Sequence, residues 1–180
     1  MRWEALFADM EAQLEAAQAA DRAVEVADLT RAERASVELG DRLRAAQGAD
    51  VRIAVAGGHV VDGELLEVAA QWLLVGEGPR RALVPLAAVV AVRGLPARSI
   101  PARSEVARRL GLGYALRAIA RDRVTVRIAT DGSVLAGRIE SVGADHLDLA
   151  TEIDLQTAFA PGNPPRWAVP FSALRVVRSD

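Results

Sequence analysis

The sequence predicts a mainly β protein with an N-terminal helical segment, built as two tandem units of a helix followed by five strands. Three observations predict it. The hydrophobic period changes from helical to alternating at Val51. Short strand-like runs then follow, separated by glycine and proline turns. Finally, the pattern of the first run returns in order in the second half of the chain.

The first fifty residues read as helix. Trp3, Phe7, Met10 and Leu14 recur at 3–4 spacing and share one face. Thr30 and Glu33 have the spacing of a capping box that starts a helix to about residue 46. One long helix and two shorter ones both fit. Beyond them, Val51, Ile53 and Val55 alternate with Arg52 and Ala54 as a half-buried strand. Gly57-Gly58 makes a turn, and residues 60–68, 71–75, 81–84 and 88–93 form four more strands. Residues 94–103 hold two prolines and a glycine and read as a linker. A helix is expected from Ser104 to about Arg121.

The repeat is ordered. Leu39-Gly40, Leu43, Arg44 and Ala45 match Leu112-Gly113, Leu116, Arg117 and Ala118. At the same spacing Val51, Ile53 and Val55 fall on Val124, Val126 and Ile128. Gly63, Leu65 and Val68 fall on Gly137, Ile139 and Val142. Residues 82–86 match 167–171, and Val92-Arg93 match Val177-Arg178. The expected organisation is a helical segment over 1–38, one five-stranded unit over 39–93, the linker, and a second unit over 104–180.

A helix followed by five bent strands resembles the Sm-like (LSm) small barrel. The residues that carry the resemblance are Val124 to Ile128, Gly132, Leu135 to Ile139, Val142, Leu147 to Leu149 and Val169 to Leu174. It implies two tandem five-stranded Sm-like small barrels, each preceded by a helix. A glycine inside the second strand lets that strand bend sharply enough to serve both sides of such a barrel. The nucleotide pocket of RNA-binding Sm rings does not carry over. Gly143 and Leu147 stand where an Asp and an Asn are usual, and the first unit has Ala69 and Leu73 there. The opening seventeen residues are similar to actinobacterial proteins without an assigned activity, which implies none.

Composition narrows the chemistry. The chain of 180 residues has no cysteine, and all 22 basic residues are arginine. Disulfides, thiolate metal sites, Schiff bases and a phosphate-loop lysine are therefore excluded. The 36 alanines and the absence of lysine point to a GC-rich genome rather than to a function. His59 and His146 are the only histidines. They occupy non-equivalent places in the two units and read as surface residues. The carboxylate pairs Glu64/Glu67 and Asp145/Asp148 read as solvated faces, and the glycine pairs as turns. The expectation is a non-enzymatic protein without catalytic residues, cofactor or metal. No apolar run reaches membrane length and the start lacks a signal-peptide core, so a cytoplasmic protein is expected.

Two features point to partners. Residues 79–127 hold 11 arginines against Glu105 and Asp122, although the whole chain has a net charge of −2. Arg80, Arg81, Arg108, Arg109, Arg117 and Arg121 are the candidate nucleic-acid contacts. The alternative is pairing with the eleven acids of residues 1–50. The second feature is an apolar outer face. Leu66, Trp72 and Leu74 stand where the second unit has Glu140, His146 and Asp148. Something covers it: the N-terminal helix, the other barrel or another chain. With Trp3, Phe7, Met10 and Leu14 these residues form the candidate interface for self-association or for another protein. The expected function is an interaction or assembly module with an oligomerising or docking helix. The alternative is a nucleic-acid-binding accessory or regulatory protein.

Overall fold

The computed structural model describes Met10, Gln13, Gln18, Arg22, Glu25, Val26, Asp28 and Arg31, and residues 35–101, 111–151 and 166–179. The chain divides into two compact units, Met1–Glu38 and Leu39–Asp180. In the first, every described position from Met10 to Ala35 is helical. Arg31 and Asp28 pair at 3.0 Å across one turn. Residues 36–38 leave the helix, so the helical pattern does not run unbroken to residue 46.

The second unit is mainly β. It begins with α1 (Leu39–Ala45), followed by β1 (Asp50–Val55), β2 (His59–Val68), β3 (Trp72–Glu77), β4 (Arg80–Pro85) and β5 (Val89–Arg93). Next come α2 (Leu112–Asp122), β6 (Thr125–Ala129), β7 (Val134–Val142), β8 (His146–Ala150), β9 (Arg166–Pro170) and β10 (Val176–Ser179). Alternation decides the strands: in β1 the side chains of Val51, Ile53 and Val55 are buried between outward neighbours. Helix α2 buries Leu112, Ala115 and Leu116, which share a face at 3–4 spacing. Gly111 before it has extended backbone (φ −69°, ψ 168°), and the expected start at Ser104 lies outside the described residues.

All ten strands belong to one antiparallel sheet in the order β5-β1-β2-β3-β4-β10-β6-β7-β8-β9. The mainly β class is as expected, and the two five-stranded units are joined in one sheet. The halves have the same strand order, but β4 of the first bonds β10 of the second. Edge strands carry unpaired N–H and C=O groups, and pairing them within the chain satisfies both rows. Residues 94–101, expected as a free linker, are tied to α1. Arg42 donates to Pro96 O, Arg44 donates to Ile100 O at 3.0 Å, and Ile100 N–H donates to Asp41 O at 2.9 Å.

The equivalence of the halves is clearest at the bends. Val51 pairs with Gly63, and Val126 pairs with Gly137. β2 bulges between Leu65 and Glu67, and β7 between Ile139 and Ser141. The glycine pairs set Val51 on Val126 rather than on Val124. The sequence alignment of this one strand was therefore off by two residues, a slip that keeps the same face inward.

Two cores flank the joint between β4 and β10, and each borrows from the other half. The first packs Leu43, Ile53, Val61, Leu65, Leu73 and Val84 with Ala129 and Val176 of the second half. The second packs Leu116, Val126, Ile128, Leu147, Leu149 and Leu174 with Ala69, Trp72 and Leu83 of the first.

Candidate functional site

The joint between the halves combines a strand ladder with several side-chain links. Along it, Leu83 stands opposite Val177, Ala82 opposite Arg178, and Arg81 opposite Ser179. The Arg178 guanidinium reaches back to the first half. Its Nε donates to Glu77 Oε2 at 2.7 Å, and its Nη2 donates to Glu77 Oε1 and to Val60 O. Both side chains are mostly shielded, at 28% and 20% exposure, and a forked pair there fixes register as well as adding attraction. Gln71 joins the halves a second time: its Oε1 accepts the N–H of Leu112 at 2.9 Å, at the start of α2. His59 Nε2 lies 3.0 Å from Thr130 O, a third link.

The apolar face noted in the sequence lies at this joint. Trp72 is 5% exposed and packs in the second core with Leu83, Leu112, Ala115 and Leu116, and Leu74 packs against the same core. Of the three covers the sequence left open, the second half of the chain is the one in place over Trp72. Leu66 is half-buried. Trp3, Phe7 and Leu14 lie outside the described residues, and Met10 is 58% exposed. Sequence reasoning missed Gln71 and Glu77. No motif marks them, because their partners lie far away in the chain.

The arginines separate into groups. Arg80 and Arg81 lie on β4. Arg108 and Arg109 lie outside the described residues. Arg117 and Arg121 lie on α2 and line an open cleft of about 720 Å³ with Tyr114, Arg123, Glu140 and Ser141. An adjoining cleft of about 550 Å³ adds Arg138 and Arg166, which no sequence spacing could have found because β7 and β9 bring them there. Arg166 pairs with Glu140 at 3.0 Å, and Arg117 donates to Gly143 O at 3.1 Å. Arg123 ends α2 in the left-handed conformation at φ 54°, uncommon for a residue with a side chain.

Beside this cleft, His146 takes the place of Trp72. Its Nδ1 lies 2.8 Å from Asp145 Oδ1, and Ser141 Oγ donates to Asp148 Oδ2 at 2.5 Å. The Asp145 hydrogen bond raises the imidazole above its ordinary 6.5, and the carboxyl falls below its ordinary 3.8 in return. The folded imidazole holds its proton more tightly than the unfolded one. The contribution of this pair is therefore present below pH 6.5 and fades as pH rises through the folded midpoint. NMR titration of His146 should show a midpoint above 6.5, which Asp145→Asn brings back down. A midpoint unmoved by that substitution contradicts the pairing. Between β6 and β7, Arg175 holds Asp131 with a forked pair at 2.7 and 2.6 Å, which lowers the Asp131 pKa.

Among the described residues there is no cluster of His, Asp or Glu that could hold a metal ion, and no helix is long and apolar enough to cross a membrane. Comparison with known proteins finds no family model that matches the chain and no curated protein with a matching sequence.

Proposed function

We propose that this protein is a non-enzymatic interaction and assembly module, built on two Sm-like small barrels, with the helical segment of residues 1–38 as its docking or oligomerising arm. The observation that carries this reading is the joint between β4 and β10. There, one repeat of the fold holds another by a strand ladder, a forked ion pair and a shared core. A surface that makes such a joint is suited to holding protein edges. The barrel reading draws support from the common strand order of the halves and from the matching glycine-and-bulge bends.

A second reading rests on the clefts around α2. The side chains of Arg121 and Arg123 make no hydrogen bond or ion pair among the described residues, and Tyr114 beside them is 52% exposed. Guanidiniums so placed beside an exposed ring suit a phosphate backbone.

Light scattering and mobility shifts separate the two. The assembly reading expects a particle heavier than the 19.1 kDa chain that persists after nuclease treatment and in high salt. A 19.1 kDa particle that shifts RNA or DNA would replace it with the second reading, provided that the shift weakens with salt and with Arg117→Ala and Arg121→Ala.

A further inference from the structure

The helices α1 and α2 use their arginines differently. On α1, Arg42 donates to Pro96 O at 3.1 Å and Arg44 to Ile100 O at 3.0 Å, so the backbone of residues 94–101 engages both guanidiniums. Arg98 adds a bond in the opposite direction, to Ala45 O. On α2, Arg117 matches Arg44 and donates through Nη2 to Gly143 O at 3.1 Å. The side chains of Arg121 and Arg123 make no hydrogen bond or ion pair among the described residues.

The turn after each helix repeats the contrast. Two residues before β1 stands Gly48, at φ 83°, and two residues before β6 stands Arg123, at φ 54°. Glycine adopts this left-handed conformation freely, whereas a residue with a side chain is strained in it. The second half therefore holds an arginine where the first half has glycine, and that arginine lines both clefts beside α2. Strain kept at an open cleft points to a ligand rather than to stability.

The guanidiniums converge on these clefts from separate elements. Arg117 and Arg121 of α2 line the cleft of about 720 Å³. Arg138 of β7 and Arg166 of β9 line the adjoining one of about 550 Å³. Glu140 borders both and holds Arg166 at 3.0 Å. Each cleft thus offers guanidinium forks of the kind that fit a phosphate group. Acids flank the site. Asp122 lies between Arg121 and Arg123 in the chain, and Asp145 lies two residues from the Gly143 that Arg117 holds. Asp148 accepts a hydrogen bond from Ser141 of the cleft wall. A long phosphate backbone leaving the clefts would meet these carboxylates, and a compact ligand would not.

We propose that the paired clefts bind a compact ligand that carries more than one phosphate group. Arg117 and Arg121 hold one phosphate, Arg138 and Arg166 hold the next, and Arg123 serves both. This is independent of the assembly reading, and it differs from the nucleic-acid reading in the size and chemistry of the ligand.

Calorimetry on the full chain with inorganic phosphate and inorganic triphosphate tests it. Triphosphate should bind at one site per chain and about tenfold or more tighter than phosphate, as expected for one further charge-assisted contact. Arg121→Ala should weaken triphosphate binding about tenfold. Arg123→Gly should weaken it as much while raising the melting temperature by a few degrees, because glycine relieves the left-handed turn. A purely structural arginine does not give that opposite pair of effects. Arg93→Ala, on β5 at the other end of the strand order, removes the same charge and should leave binding unchanged. Triphosphate no tighter than phosphate, an equal loss in Arg93→Ala, or unaltered binding in Arg121→Ala and Arg123→Gly overturns the proposal. A bound single-stranded RNA or DNA oligomer that triphosphate does not displace also overturns it and leaves the nucleic-acid reading standing. An oligomer that fails to bind where triphosphate succeeds supports the proposal and removes that reading.

Discussion

Gly137→Ala is expected to cost about 3 kcal/mol and to lower the melting temperature by roughly 6–12 °C. A Cβ at this position would lie 2.1 Å from Ala150 O, 2.9 Å from its carbonyl carbon and 3.1 Å from Thr151 Cα. All three are backbone atoms of the neighbouring strand or its end, so no side-chain rotation relieves the overlap. The ladder between β7 and β8 must open instead. Gly63→Ala should behave alike, since its Cβ would lie 2.0 Å from Gly76 O. Gly132→Ala, with nothing within 4 Å, is the control and should melt with the unaltered chain. Thermal melts followed by circular dichroism read all three. Equal melting of Gly137→Ala and Gly132→Ala would contradict the bend.

Trp72→Ala is expected to destabilise the second unit by about 3–5 kcal/mol, the usual range for emptying a buried aromatic site. Trp72 is 5% exposed, and it links β3 of the first half to Leu112, Ala115 and Leu116 of α2. Its removal leaves a cavity beneath the helix and strips cover from Leu83. Trp167→Ala removes the same side chain from a position 47% exposed and should change stability little, within about 0.5 kcal/mol. Urea titration of the two variants compares them directly. Similar losses would mean that the shared core does not hold the halves together.

The strands were legible because burial alternates. Val51, Ile53 and Val55, and later Val126 and Ile128, wrote their inward face into the sequence. Gly63 and Gly137 were legible as bends because no other residue fits so near a neighbouring carbonyl. The joint of β4 and β10 was not legible. Edge pairing uses backbone groups that every residue carries, so no side-chain pattern announces it. Its side chains did leave a trace: Leu66, Trp72 and Leu74 break the polarity of an outward face, which indicated an interface without naming its cover. Arg117 and Arg121 were visible by their spacing on α2, whereas Arg138 and Arg166 reach the same clefts through the folding of the sheet. Gly111, with extended backbone, stands where the sequence reads a helix with an irregularity at its glycines.

The central claim is that one edge-to-edge joint, between β4 and β10, holds the two halves of the chain in one sheet. Native-state hydrogen exchange tests it most directly. Amides of β4 and β10 should be protected to the level of global unfolding. Amides of β5 and β9 that face away from β1 and β8 should exchange quickly. Exchange at β4 and β10 as fast as at those outer edges would contradict the account.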